Sequence, residues 1–264
     1  MTRFVSLSSG SNGNCYYIGN DDVSFLIDVG IGGRTIRKRL AQLGIDVSTV
    51  DFVLVSHDHV DHIRYLGSFT EHYHKPLFAT KELHRALDSH FCTRGRLYGC
   101  VKEIEAGVTT ECLGVKFTPF RVPHDAHDTV GYYIDFFGTT FTFITDVGAV
   151  TDEVVDYCSR AAHLIVESNY DRDMLLNGPY PPELQRRIMN GHGHLSNGQT
   201  AELLRKVAGK DVQSVFLCHL SENNNTPELA LQSASAALQE AGATHILLKA
   251  LPRRTCSELF EFEL

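Results

Sequence analysis

The sequence predicts an α/β fold in one domain over residues 1–264. Short apolar runs rich in β-branched and aromatic residues recur with amphipathic helical stretches in each half of the chain, and no repeat, linker or low-complexity tract divides it. A chain of 264 residues can bury a full core, and 43% hydrophobic with 21% charged residues is ordinary globular composition. Seven cysteines, an odd number with no C-x-x-C pair, read as reduced thiols. No apolar run approaches the roughly 18 residues of a membrane span, and Met1-Thr2-Arg3-Phe4 has no signal-peptide profile. The expectation is a cytoplasmic protein without membrane association. A net charge of −8 argues mildly against general polyanion binding; it leaves nucleic acid open, because bound cations and local basic groups set the field at a site.

Residues 4–7 read as a strand, followed by the Ser/Gly/Asn loop 8–14 and a second strand over 15–18. The loop presents N–H and hydroxyl donors, and is either a hairpin connection or an anion-holding turn. Residues 24–28 form a third strand ending in Asp28. Residues 35–43 place apolar side chains at 36, 40 and 43, the spacing of an amphipathic helix closed by Gly44. Its Arg37-Lys38-Arg39 run is read as the solvated face.

Phe52-Val53-Leu54-Val55 then runs into Ser56-His57-Asp58-His59-Val60-Asp61-His62, five potential metal ligands within seven residues. His57 and His59 stand two apart, so at a strand end both point the same way and grip one ion together. Asp61 and His62 precede what reads as the first turn of a helix at 63–66, where adjacent residues fan out, a placement suited to a second ion. Two cations about 3.5–4 Å apart activate a water and hold a leaving oxygen. A lone His-x-His favours a histidine-rich surface loop; the longer motif directly after a buried strand favours a metal site.

Residues 76–79 read as a strand and 81–89 as a helix. No periodicity organises 90–114, where Arg94 and Arg96 are read as solvated turn residues, with phosphate contact as the alternative. Residues 115–122 form a strand that delivers His124, and His127 is read as an idle loop residue, with a substrate-side proton donor as the alternative. Residues 131–137 and 140–145 flank Gly138 as a hairpin, and Asp146 ends its second strand, where one carboxylate oxygen can serve each of two cations. Residues 152–158 are helical, and 163–167 form a buried strand ending in Glu167, either a site carboxylate or a capped strand end. Residues 171–177 and 182–190 read as helices. Ser196 and Gln199 form a capping box for a helix over 200–207, so His194 stands just before a helix N-terminus, where an anion is welcome; His192 is read as structural. Residues 215–219 carry His219, with Cys218 facing the opposite way. A polar loop at 221–226, a helix from Pro227 to Gly242 with proline at N1, and strands at 245–249 and 257–261 complete the chain.

The segment His57-Asp58-His59-Val60-Asp61-His62 resembles the ligand motif of the metallo-β-lactamase superfamily. Asp28 after Phe25-Leu26-Ile27 resembles its first motif, His124 in Val122-Pro123-His124-Asp125 its third, Asp146 its fourth and His219 its fifth. Ser8-Ser9-Gly10-Ser11-Asn12-Gly13-Asn14, His124-Asp125-Ala126, Asp128-Thr129-Val130-Gly131-Tyr132, Gly193-His194-Leu195-Ser196-Asn197 and His219-Leu220-Ser221-Glu222-Asn223-Asn224 resemble the YycJ/WalJ branch, which is associated with nuclease activity, including exonuclease action on DNA. Asn169-Tyr170-Asp171 departs from that branch, where Asn-His-Asp is expected. The resemblance implies a four-layered αβ/βα sandwich and two divalent ions, with Zn²⁺, Mn²⁺ or Fe²⁺ admitted by the donors. His57, His59 and His124 hold one ion, Asp61, His62 and His219 the other, Asp146 bridges, and Asp28 supports a ligand from outside.

The expected activity is that of a dinuclear hydrolase in which a hydroxide between the ions attacks phosphorus, most readily in a phosphodiesterase or DNA exonuclease. Asp58, Asp61, Asp146 and His194 are the expected catalytic residues, with His194 contacting phosphate or protonating the leaving oxygen. Ser11, Asn14, Glu167, Ser196, Ser221 and Asn223 are the expected substrate contacts. The runner-up is a carbonyl hydrolase, a thioesterase or lactonase resembling glyoxalase II, which the same metal core serves. A redox diiron protein calls for a flavin-bearing partner domain, and a metal-stabilised binding module conflicts with a complete, open ligand set.

Overall fold

A computed structural model describes residues 1–209 and 211–263, and its chain divides into two compact units. The first comprises residues 1–114, 126–129 and 252–264. It contains β1 (Thr2–Ser8), β2 (Cys15–Gly19), β3 (Ser24–Ile27), α1 (Gly33–Gln42), a 3-10 turn at Val47–Thr49, β4 (Phe52–Leu54), α2 (Val60–Ile63) and α3 (Leu66–Tyr73). There follow β5 (Leu77–Thr80), α4 (Lys81–Ser89), β6 (Val101–Ile104), β7 (Thr110–Cys112) and the chain's last strand, β14 (Phe260–Phe262).

One sheet runs β14-β1-β2-β3-β4-β5-β6. Its β14, β1, β2 and β3 pair antiparallel, while β3, β4, β5 and β6 are parallel; parallel neighbours require crossovers, which α1 and α4 help to supply. Every residue of β3 and β4 is buried, which explains why both read as continuous apolar runs. Ile36 and Leu40 of α1, Leu66 and Phe69 of α3 and Leu83 and Leu87 of α4 pack with Leu26, Val53 and Leu77, each fully buried large side chain contributing about 1.5–3 kcal/mol. The register pairs Ile27 with Leu54, so Asp28 and Ser56 leave the sheet side by side. The helix after the histidine motif starts at Val60, three residues earlier than the apolar pattern indicates: His59 supplies the extended residue before it, and Asp61 and His62 already lie within its single turn. Strand β6 carries the exposed Lys102 and Glu103, so burial imprinted little pattern on that segment.

The second unit comprises residues 115–125 and 130–251. It contains β8 (Val115–Arg121), β9 (Val130–Phe136), β10 (Thr139–Ile144), α5 (Asp152–Ser159), β11 (His163–Glu167), α6 (Arg172–Asn177) and α7 (Pro182–Met189), then α8 (Asn197–Val207), β12 (Ser214–Cys218), α9 (Pro227–Glu240) and β13 (Leu247–Ala250). Its strands run β13-β12-β11-β10-β9-β8. The hairpin between β9 and β10 turns through Phe137 and Gly138, both at positive φ (52° and 95°), as a two-residue turn of primed type requires. Val154 and Cys158 of α5, Leu203 and Leu204 of α8 and Ala230 and Ala237 of α9 pack with Ile144, Leu164, Val166, Val215 and Leu217. Strands β10, β11 and β12 are parallel, with Ile144 opposite Val166 and Glu167 opposite Cys218. Asp146, Glu167 and His219 therefore emerge at the same carboxyl-terminal strand ends, where α/β sheets place their ligands. No helix among the described residues is long and apolar enough to cross a membrane.

Candidate metal centre

In the first unit the site is built from the ends of β3 and β4. Asp28 takes left-handed backbone, φ 61°, and accepts hydrogen bonds from Ser56 N at 2.8 Å and Ser56 Oγ at 2.7 Å. Its Oδ2 also lies 2.6 Å from His62 Nδ1, with both side chains fully buried. A carboxylate accepts, so the proton belongs on Nδ1 and the His62 lone pair on Nε2. That Nε2 faces Asn14 Nδ2 at 2.9 Å, and the same amide donates to Asp61 Oδ2 at 3.3 Å. Asn14 is oriented by Gly10, whose N–H donates to its Oδ1 at 2.8 Å. The His57 ring stands 4.9 Å from that of His59 and 4.1 Å from that of His62. Three imidazoles and a carboxylate thus gather on six residues. Gly30 makes the gathering possible: a Cβ there would meet the Asp61 carbonyl oxygen at 1.7 Å and Asn14 N at 2.5 Å. Asp58 is buried, and its Oδ2 lies 2.5 Å from Nδ1 of the exposed His127, so His127 has a definite partner.

In the second unit Asp146 and His219 also adopt positive φ, 51° and 52°, a region that costs non-glycine residues of order 1–3 kcal/mol and clusters at functional sites. Asp146 Oδ2 accepts from Thr145 Oγ1 at 2.8 Å. Its Oδ1 stands 3.6 Å from Nδ1 of His194, 3.6 Å from Nδ1 of His219 and 3.7 Å from Nε2 of His124. His124 Nδ1 faces the Gly193 carbonyl at 2.8 Å, and because a carbonyl only accepts, the His124 lone pair sits on Nε2, toward Asp146. Glu167 is fully buried, with Oε1 2.8 Å from His194 Nδ1 and 2.9 Å from His219 Nδ1. Its Oε2 accepts from Val147 N at 3.1 Å and Leu195 N at 3.0 Å. Burial opposes the charge on Glu167, but His194 and the hydrogen bonds from both imidazoles hold it below its ordinary value. Burial likewise pushes His194 down, and the Glu167 carboxylate overrides it, leaving this imidazole above its ordinary value.

One donor atom from each of Asp146, Glu167, His194 and His219 lies within 4.8 Å of the others. Two carboxylates and two imidazoles in a buried pocket match the chemistry of a divalent cation site. Glu167 and His194, expected on the substrate side, therefore stand among the possible ligands. Ser56, Asn169 and Gly193 are supporting residues that sequence reasoning missed; Asn169 Nδ2 donates to the His219 carbonyl at 2.8 Å. Each stands in a segment that the sequence singles out without assigning it a role: Ser56 directly before the histidine motif, Asn169 in Asn169-Tyr170-Asp171 and Gly193 in Gly193-His194-Leu195-Ser196-Asn197.

The other expected substrate contacts are dispersed. Ser11 is exposed. Ser196 Oγ accepts from Gln199 N in the expected capping box, which opens α8 at Asn197 rather than at 200. Ser221 Oγ accepts from Asn224 N at 3.2 Å, and Asn223 Nδ2 donates to Tyr180 Oη at 3.2 Å. Arg96 is ion-paired with Glu71, whereas Arg94 is exposed.

The model of the β-lactamase superfamily domain matches residues 24–220. The chain belongs to the metallo-β-lactamase superfamily. It is 32% identical to exodeoxyribonuclease YycJ of Bacillus anthracis, over 91% of this chain and 90% of that one. It is 30% identical to exodeoxyribonuclease WalJ of Streptococcus pneumoniae serotype 2 (strain D39), over 90% of this chain and 89% of that one. The metallo-β-lactamase fold protein YhfI of Bacillus subtilis superposes with a TM-score of 0.70 at 15% identity, covering 97% of this chain and 99% of the other. The YycJ/WalJ resemblance of the loops thus extends over nearly the whole chain, and a metallo-β-lactamase fold with clustered His and Asp side chains is suited to binding divalent metal.

Proposed function

We propose that this metallo-β-lactamase superfamily protein is a metal-dependent phosphodiesterase acting on DNA ends as an exonuclease. The observation that carries the reading is the identity of 30–32% over about nine-tenths of the chain to two relatives named exodeoxyribonuclease. In the same proposal residues 1–264 act as one domain, and the ligands follow the family motifs: His57, His59 and His124 for one ion, Asp61, His62 and His219 for the other, and Asp146 for both. Bound Zn²⁺, Mn²⁺ or Fe²⁺ would supply Lewis acidity and an activated water.

The protein's own groups do the rest. Asp28 and the Gly193 carbonyl keep protons on Nδ1 of His62 and His124, so that Nε2 of each keeps the lone pair a metal would take. Glu167 orients His194 and His219. His194, which the Glu167 carboxylate holds above the ordinary imidazole value despite its burial, is the group this reading assigns to protonate the departing alkoxide. Asp58 positions His127. A cytoplasmic location belongs to the same reading, since all seven cysteines are free thiols, as a reducing compartment keeps them.

The test offers protein stripped of metal and reloaded with Mn²⁺ or Zn²⁺ three substrates: end-labelled duplex DNA, a chromogenic phosphodiester and a thioester. Metal-dependent shortening of the DNA, lost in Asp146→Ala, is the expected result. Cleavage of the thioester alone would transfer the assignment to the carbonyl hydrolases.

A further inference from the structure

Helix α1 is the only one of the nine α-helices among the described residues that contains no acidic residue. Its sequence, GRTIRKRLAQ, carries four cations in ten residues, in a chain whose net charge is −8. Arg34, Arg37 and Lys38 are exposed and stand at i, i+3 and i+4, so they share one face and repel one another. Arg34 also lies in the first turn, where the helix dipole disfavours a cation, and that turn has neither an acid nor a side-chain cap. None of the three makes an ion pair with a described residue. Elsewhere Arg3, Arg96, Arg160, Arg187, Arg205 and Lys206 each have an acidic partner. The arrangement disfavours α1 electrostatically, and an anion bound from outside would relieve it.

Two clefts flank this face. One, of about 400 Å³, is bordered by Arg34, Lys38, Arg39, Gln42 and Thr255; the other, of about 430 Å³, by Arg34, Arg37, Ser68, His72 and Tyr73. Neither lining contains a carboxylate, and both offer hydroxyl and nitrogen donors. The surface is joined to the metal-ligand segment within the first unit. Arg39 donates to the carbonyls of Leu7 and Arg254, and the Arg253 carbonyl accepts from Ser8 Oγ and Ser9 N at the start of the loop that ends in Asn14. Asn14 in turn contacts Asp61 and His62.

We propose that the Arg34–Arg37–Lys38 face of α1, with its two flanking clefts, is a docking surface for the sugar-phosphate backbone of DNA, separate from the metal ligands. The proposal rests on the nuclease reading above and names where the substrate is held. It revises the sequence-based view of this run as a merely solvated face.

The experiment compares Mn²⁺-loaded wild type with Arg34→Gln/Arg37→Gln/Lys38→Gln and with a control that loses three cations elsewhere, Lys102→Gln/Lys116→Gln/Arg172→Gln. Binding of a labelled duplex is followed through a salt series, beside cleavage of that duplex and of a chromogenic phosphodiester. In the α1 variant, turnover of the small ester should match wild type, the DNA Kd should rise roughly tenfold or more, and the slope of log K against log salt should become shallower by about 2–3. The control should keep the wild-type slope, and Arg34→Lys/Arg37→Lys should retain binding because charge is what counts. Wild-type DNA binding and salt slope in the α1 variant would overturn the surface while leaving the nuclease reading intact, as would equal losses in the control. A wild type that cleaves neither the duplex nor the phosphodiester and does not bind DNA would overturn both.

Discussion

Nδ1 of His62 lies 2.6 Å from the Asp28 carboxylate, and neither side chain reaches solvent. Because Ser56 N and Oγ donate to the same carboxylate, a neutral amide at position 28 would turn its NH₂ group toward a donor. In Asp28→Asn, His62 is expected to move its proton to Nε2, the atom needed as a ligand. Metal affinity should fall by about 10–100-fold, read by chelator competition. Wild-type metal retention would reduce Asp28 to a structural support of the β4 end.

Glu167 and His194 make a pH prediction for the metal-free protein. His194 is held above its ordinary value, so its contribution is complete below that value and is lost as pH rises through the raised one. Glu167 is held below its ordinary value, so its contribution is complete above the ordinary carboxylate value and disappears as pH falls through the lowered one. Stability from the pair should peak between these limits. Glu167→Gln should lower the peak by roughly 3–5 kcal/mol, the usual effect of breaking a buried pair, and flatten both limbs of urea midpoints plotted against pH. Limbs unchanged in the variant would mean that the pair does not ionise as described.

The metal-ligand candidates were legible because strand ends and ligand spacing are local: Phe52-Val53-Leu54-Val55 and the residues at 57–62 announce both the strand and the donors. The same holds for the capping box of Ser196 and Gln199 and for Pro227 at the start of α9. What was illegible depends on tertiary pairing. Glu167 reads as either a site carboxylate or a capped strand end, and its place beside His219 and the 193–195 turn comes only from the parallel registers of β10, β11 and β12. The positive φ values at Asp28, Asp146 and His219 leave no mark on composition, and the exposed strand β6 lacks the burial that creates a periodic pattern.

Gly30 and Gly33, three residues apart, should respond to alanine in opposite ways. At Gly30 a Cβ meets the Asp61 carbonyl oxygen at 1.7 Å, whereas at Gly33 nothing lies within 4 Å. Gly30→Ala should destabilise by about 1–3 kcal/mol or more through backbone displacement, and metal content should fall with it because Asp61 and Asn14 move. Gly33→Ala should stabilise by about 0.4–1 kcal/mol by restricting the unfolded chain. Denaturant midpoints with metal analysis check both; equal responses would contradict the close approach at Gly30.

His163 sets an acid limit far from any expected ligand role. It lies buried in β11, with Nδ1 2.8 Å from Ser214 Oγ and its ring 5.0 Å from that of Phe141, and burial lowers its value from 6.5 to about 4. The unfolded chain therefore takes up a proton that the folded chain refuses. The stability this involves is present above pH 6.5 and is lost as pH falls from there toward about 4, reaching about 3 kcal/mol at the lower end. His163→Asn keeps a hydrogen-bonding group toward Ser214 but cannot titrate. Its urea midpoint should be lower than that of wild type at neutral pH, and the two curves should converge as the solution is acidified. Curves that stay parallel through this range would show that the folded protein accommodates the charged imidazole.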